Sequence, residues 1–164
     1  MKALFLDRDG VINHDYGHVH TWDKFDFIDG SLDALYALSK LKIKIIIVTN
    51  QAGIAKGYYT ESLLHKLHNK LDNFFNENNI VIEDYFYCPH HKEGIIPKYK
   101  ICCNCRKPKS GMFFKARKKY KLDLSECIMI GDKISDIIAA QSAGIKKNFL
   151  VNNQTNDTFN FNNK

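Results

Sequence analysis

No apolar stretch in this chain approaches the length of a membrane span. The longest, Ile45-Ile46-Ile47-Val48, suits a buried strand, so an integral membrane helix is excluded. No leader pattern precedes the first strand-like run, which starts directly after Met1-Lys2. A disulfide framework is equally out of place, because the five cysteines are an odd number and no secretion signal accompanies them. These absences make a cytoplasmic location the expectation. Internal repeats are missing too, which excludes a solenoid or propeller.

What remains is 164 residues, enough for one domain with one core. Hydrophobic content of 45% and charged content of 26% are ordinary for a globular protein. The net charge of +6 admits an anionic ligand or nucleic acid. Lys115, Lys118, Lys119 and Lys121, however, lie on one short helical segment with little aromatic interleaving, which reads as a solvated face.

Strand and helix patterns alternate. Strands are expected at 3–6, 43–48, 84–87, 127–130 and 147–151. Helices are expected at 31–41 with Ser31 as N-cap, at 60–78 with Thr60 as N-cap, after Ser110, and from about Ser135 to Ala143, stopping at Gly144. Leu63, Leu64, Leu67, Leu71, Phe74 and Phe75 form the apolar stripe of the second helix, with His65 and His68 expected on its surface. The alternation predicts an α/β fold: a parallel sheet with helices on both faces, in a Rossmann-like three-layer sandwich. Residues 1–151 are expected to form the single domain. The last thirteen residues, with six asparagines, are expected to be a loosely docked tail.

In such folds ligands bind beyond the carboxyl ends of the strands. Polar, glycine-containing segments do follow three of them: Asp7-Arg8-Asp9-Gly10, Thr49-Asn50-Gln51-Ala52-Gly53 and Gly131-Asp132-Lys133. Asp7 and Asp9 face the same side if the strand continues, and two anions held that close repel unless a cation or proton joins them. Alone, this segment reads equally well as a polar turn. With the rest, Asp7 becomes a carboxylate nucleophile, and Asp132 adds a carboxylate for a hard divalent cation such as Mg²⁺. Asp132 before a helix would also make a good N-cap. Thr49 can donate its hydroxyl to a phosphoryl oxygen, and Lys107 can offset charge on a transferring group.

Asp7-x-Asp9-Gly-Val, then Thr49-Asn50, then Lys107, then Gly131-Asp132-Lys133-x-x-Asp136 resembles the four-motif pattern of the haloacid dehalogenase-like phosphatases, over roughly residues 3–144. The resemblance implies an aspartyl-phosphate on Asp7, with Asp9 as acid and then base. It also implies Mg²⁺ held by Asp7, the Asp9 carbonyl and Asp132, and transition-state stabilisation by Thr49 and Lys107. Asp136 would orient Lys107 or support the metal shell rather than bind metal directly. The short segments between motifs leave no room for a large cap domain.

Four cysteines, Cys88, Cys102, Cys103 and Cys105, lie in one loop-like region with His90 and His91. Soft ligands from two paired segments suit tetrahedral Zn²⁺, and the favoured set is Cys88, His90, Cys103 and Cys105, with Cys102 and His91 as rivals. The loop between them has no core of its own, so a structural metal staple is expected just before the third motif. Cys127 reads as a small core residue. His14, His18 and His20 make a weak second cluster that the chemistry does not need.

Cys-Pro-His-His and Cys-x-Cys-Arg-Lys-Pro further resemble the D-glycero-D-manno-heptose 1,7-bisphosphate 7-phosphatases, a group close to the histidinol-phosphate phosphatases. That likeness implies removal of a sugar 7-phosphate in nucleotide-heptose synthesis. It implies substrate contacts from Asp15, Tyr16, Gly17, His18, Thr49, Asn50, Gln51, Ala52, Arg106, Lys107 and Lys133. The partner would be a small sugar phosphate acted on by a monomer. The rivals are histidinol phosphate or another small phosphomonoester and, in a different class, a zinc-stabilised nucleic-acid-binding module without catalysis.

Overall fold

The computed structural model describes residues 1–41, 43–151 and 158–160. Strands β1 (Ala3–Leu6), β2 (Lys44–Asn50), β3 (Asp84–Cys88), β4 (Ile128–Gly131), β5 (Lys147–Val151) and β6 (Thr158–Asn160) form one sheet in the order β3-β2-β1-β4-β5-β6. The first five strands are parallel and β6 is antiparallel to β5. Helices α1 (Ser31–Ser39), α2 (Glu61–Glu77), α3 (Gly111–Tyr120) and α4 (Ile134–Ser142) complete the alternation.

Side-chain alternation along β1 and β2 builds both faces. Ala3, Phe5, Ile46 and Val48 pack with Met112, Phe113, Ala116, Ala139 and Ala140, which places α3 and α4 on one side. Leu4, Leu6, Ile45 and Ile47 pack with Leu35, Leu67, Leu71 and Phe75, which places α1 and α2 on the other. This is the three-layer α/β sandwich expected from the alternation. The chain turns from β3 at one edge to β4 beside β1, so the strand order reverses next to β1. The crevice at the carboxyl ends of β1, β2 and β4 is therefore the place for a ligand.

Local details differ from the sequence pattern. β2 runs on through Thr49 and Asn50, because they continue the pairing with Tyr87 and Cys88. Ser31 does not cap α1: the N-cap is Gly30, at φ 78°, and the Ser31 hydroxyl donates to the Ile12 carbonyl. α1 stops at Ser39, short of Leu41. Thr60 does cap α2, accepting from the Leu63 N–H at 3.2 Å. His68 is not on the surface; it is 6% exposed and stacks on Tyr85, with ring centroids 4.3 Å apart. Within the Asn-rich tail, Thr158–Asn160 adds an edge strand, while 152–157 and 161–164 lie outside the described residues. Cys127 is fully buried, as expected of a core thiol.

Candidate active site

β1 ends at Leu6, and Asp7 continues its direction by donating its N–H to the Ile130 carbonyl at 3.0 Å. Its carboxylate, buried at the carboxyl end of this central strand, accepts the Arg8 N–H and lies 3.0 Å from Lys107 Nζ. Lys107 is 3% exposed. Its ammonium has three hydrogens, and three acceptors surround it: Asp7 Oδ2, Asp136 Oδ1 at 2.8 Å and the Val48 carbonyl at 2.7 Å. Burial alone would drive this lysine neutral, but Asp7 and Asp136 more than offset that and keep it charged.

Asn50 fixes the lysine's backbone. Its amide donates to the Lys107 carbonyl and accepts the Lys107 N–H, both at 3.1 Å. Asp136, in the first turn of α4, accepts the Lys133 N–H at 3.0 Å. That is the capping role a sequence reading could give to Asp132, whose Oδ1 is instead buried without a hydrogen-bond partner.

Asp7, Asp132 and Asp136 bring carboxylate oxygens within 4.8 Å of one another. Glycine at position 10 permits this approach, because a Cβ there would stand 2.2 Å from Asp132 Oδ2. Burial first, and then the charges of Asp136, Asp9 and Asp132, push Asp7 up to about 7 against the pull of Lys107. Burial likewise raises Asp132. Hard oxygen donors under mutual repulsion, one of them orphaned, fit a hard divalent cation.

Asp9 accepts hydrogen bonds on both oxygens: from Arg8 Nε and Nη2, Asn13 Nδ2 and Gln51 Nε2, at 2.8–3.2 Å. Arg8 is fully buried and also donates to the Val19 carbonyl. Arg8, Asn13 and Tyr59 were not singled out from the sequence. The charged Asp7-Arg8-Asp9 triplet was the available signal for Arg8, since a buried arginine needs an acidic partner.

A cavity of about 450 Å³ opens over these groups. Asp15, Gly17, His18, Thr49, Asn50, Gln51, Ala52, Arg106, Lys107 and Lys133 all line it, as do Asp7, Asp9 and Asp136. Tyr16 does not: it is 62% exposed and stacks on His14. Lys56 and Ser135 line it as well and were missed by the sequence reading. Lys133 Nζ meets Asp15 Oδ2 at 2.9 Å, which ties the loop after Asn13 to the β4 exit.

The Cys/His loop forms a second centre. Cys88, His90, Cys103 and Cys105 bring their ligand atoms within 4.8 Å of one another. The sulfur pairs are 3.2–3.5 Å apart, and His90 Nδ1 is 3.3 Å from Cys105 Sγ. Tetrahedral zinc with Zn–S near 2.3 Å requires sulfurs about 3.8 Å apart, so a small expansion would admit the ion. Hydrogen bonding from Cys88, more than offsetting burial, holds the Cys105 thiol down to about 5. Cys102 is exposed, and His91 Nδ1 accepts the Glu93 N–H, so neither rival joins the set. His14, His18 and His20 do not converge; their rings rest on Tyr16, Tyr58 and Tyr59.

No helix among the described residues is long and apolar enough to cross a membrane. The chain is 48% identical over 150 residues to D-glycero-β-D-manno-heptose-1,7-bisphosphate 7-phosphatase of Haemophilus influenzae, covering 92% of this chain and 81% of that protein. It is 41% identical over 151 residues to the protein of the same name from Escherichia coli K12, covering 92% and 79%. A crystal structure of D,D-heptose 1,7-bisphosphate phosphatase from B. bronchiseptica, complexed with magnesium and phosphate, superposes with a TM-score of 0.82. It is 32% identical, over 92% of this chain and 80% of that one. Residues 2–144 match the haloacid dehalogenase-like hydrolase family as well, and the chain belongs to that family.

Proposed function

We propose that this phosphomonoesterase removes the 7-phosphate of D-glycero-β-D-manno-heptose 1,7-bisphosphate through a phosphorylated Asp7. The observation that carries the reading is the buried Lys107, held between Asp7 and Asp136 beside the orphaned Asp132 oxygen. A lysine so placed neutralises charge at Asp7 without attacking anything itself, because its ion pairs keep it protonated and an ammonium has no lone pair. The names of two relatives, from Haemophilus influenzae and Escherichia coli, support the β-anomer.

In this reading Asp7 attacks phosphorus, an Asp7–O–P bond forms, and the bond from phosphorus to the sugar oxygen breaks. Asp9 gives that oxygen a proton and then takes one from the water that hydrolyses the ester. Thr49 and Lys107 stabilise the transferring group. Asp7, the Asp9 carbonyl and Asp132 would hold Mg²⁺, which supplies the positive charge that lets a carboxylate approach a phosphoryl anion. Cys88, His90, Cys103 and Cys105 would hold a structural Zn²⁺. Lys56, Arg106 and Lys133 make the cavity wall cationic and suit the second phosphate of a bisphosphate. Residues 1–151 act as one catalytic domain, with no nucleic acid involved.

Steady-state kinetics with Mg²⁺ on the two heptose bisphosphate anomers and on histidinol phosphate test this. We expect the β-anomer to have the highest kcat/KM, by about tenfold or more, with loss of the C7 phosphate seen by NMR. Hydrolysis of histidinol phosphate at an equal or higher kcat/KM would overturn the substrate assignment.

A further inference from the structure

Gln51 lines the cavity, yet its side chain has no donor left for a substrate. A glutamine amide has two hydrogens and one carbonyl oxygen. Nε2 donates to Asp9 Oδ2 and to Thr49 Oγ1, both at 3.0 Å, and Oε1 accepts from the Tyr59 hydroxyl. The residue is 2% exposed. The geometry points to Gln51 and Tyr59 as positioning residues for Asp9 and, through the same amide, for the Thr49 hydroxyl. This inference rests on the reading of Asp9 as acid and base given above.

The direction of each bond follows from its neighbours. Asp9 Oδ2 accepts from Arg8 Nη2 as well, so a flipped amide would set Oε1 against an oxygen already acting as an acceptor. The Tyr59 hydroxyl prevents that flip by donating to Oε1. Burial raises the Tyr59 phenol, which keeps it a donor. Because Thr49 Oγ1 accepts from Gln51, its own hydrogen is left for an acceptor other than the amide. One amide thus holds the Asp9 carboxylate and the Thr49 hydroxyl together.

Tyr59 is itself held on both sides. It is 4% exposed, and a Cβ at Gly53 would sit 2.2 Å from its ring. His20 stacks on its face, with centroids 4.5 Å apart and planes 8° from parallel. On the opposite side of Asp9, Arg8 and Asn13 supply the remaining donors, and Arg8 also bonds the Val19 carbonyl. Both supports of Asp9 therefore reach residues 19–20, next to the Asp15–His18 part of the loop that lines the cavity.

A double-variant cycle on the full-length enzyme, with Mg²⁺ and heptose bisphosphate, tests the assignment. Tyr59→Phe removes one oxygen and keeps the ring stack. We expect it to lower kcat/KM about tenfold in the parent, with KM within about twofold, and to change kcat/KM by less than about twofold in an Asp9→Asn background. Gln51→Met should lose more than Tyr59→Phe, and only part of that loss should vanish in the Asp9→Asn background, because it also removes the donor to Thr49. Aryl phosphates give an independent readout: in Tyr59→Phe, log kcat/KM should fall more steeply with leaving-group pKa, because proton delivery to the leaving oxygen is impaired. Equal losses in both backgrounds, or a uniform loss across the aryl series, would overturn the positioning role and restore Gln51 as a substrate contact. Full activity of Asp9→Asn would instead overturn the acid–base reading on which the role rests.

Discussion

The carboxylate centre and the Cys/His centre lie close in space but are held in different ways. Asp7, Thr49 and Asp132 sit within or directly after parallel strands, so the sheet's hydrogen bonds fix them before any ligand arrives. Cys103 and Cys105 sit in a segment whose only regular element is a single turn at Pro97–Tyr99. That segment touches the rest of the molecule through a few bonds: Ile95 and Ile96 donate to the Ala55 carbonyl, and Tyr99 donates to Glu61. The first centre is charge-frustrated inside a rigid frame. The second supplies the frame for its own loop and delivers Arg106 and Lys107 to the first. Rigidity and chemistry are thus assigned to different centres.

The largest effect expected from breaking this division is at Asp7. Asp7→Asn should lower kcat by on the order of a thousandfold or more. It should also raise the melting temperature of metal-free protein at pH 8, because it removes a buried carboxylate whose folded pKa, about 7, lies above its unfolded value. Such a group costs stability increasingly as pH rises between those two values, so the gain should shrink towards pH 4. Thermal melts across pH check the sign.

Lys107→Met should abolish activity and also destabilise, by about 3–5 kcal/mol, because Asp7 and Asp136 are left buried without their cation. Denaturant titration distinguishes it from Asp7→Asn, which acts on stability in the opposite direction.

Chelation or Cys103→Ser should open the loop first and lose activity as a consequence. The expected readouts are a lower melting temperature and new proteolytic cleavage between 89 and 104, with Cys102→Ser within about 0.5 kcal/mol of the parent. Unchanged melting and full activity in verified zinc-free protein would remove the distinction between the two centres.

The smallest effect belongs to His68, packed under β3, the strand that ends in Cys88. Burial first, then the Arg8 charge, lowers it to about 3. The unfolded chain takes a proton near the ordinary histidine value while the folded protein does not. This contribution is therefore intact above about pH 6.5 and is lost on acidification at up to about 1.4 kcal/mol per pH unit. His68→Leu should flatten the stability profile between pH 6.5 and 5.

The sequence by itself determined the alternating elements, put Asp7, Thr49 and Asp132 at strand exits and Lys107 just before a helix, and favoured Cys88, His90, Cys103 and Cys105 over their rivals. Each of these depends on local periodicity or on a residue type whose chemistry is rare enough to stand out. It could not determine where side chains already committed to one another would point. Tyr16 lies within the expected substrate loop but turns outward onto His14, whereas Gln51 turns inward to Asp9. His68 sits on an amphipathic helix, yet only the packing of that helix against Tyr85 shows it to be buried. Arg8, Asn13 and Tyr59 became visible only in three dimensions: their partners Asp9 and Gln51 are near in sequence, but the path of each loop decides which side chains turn towards one another.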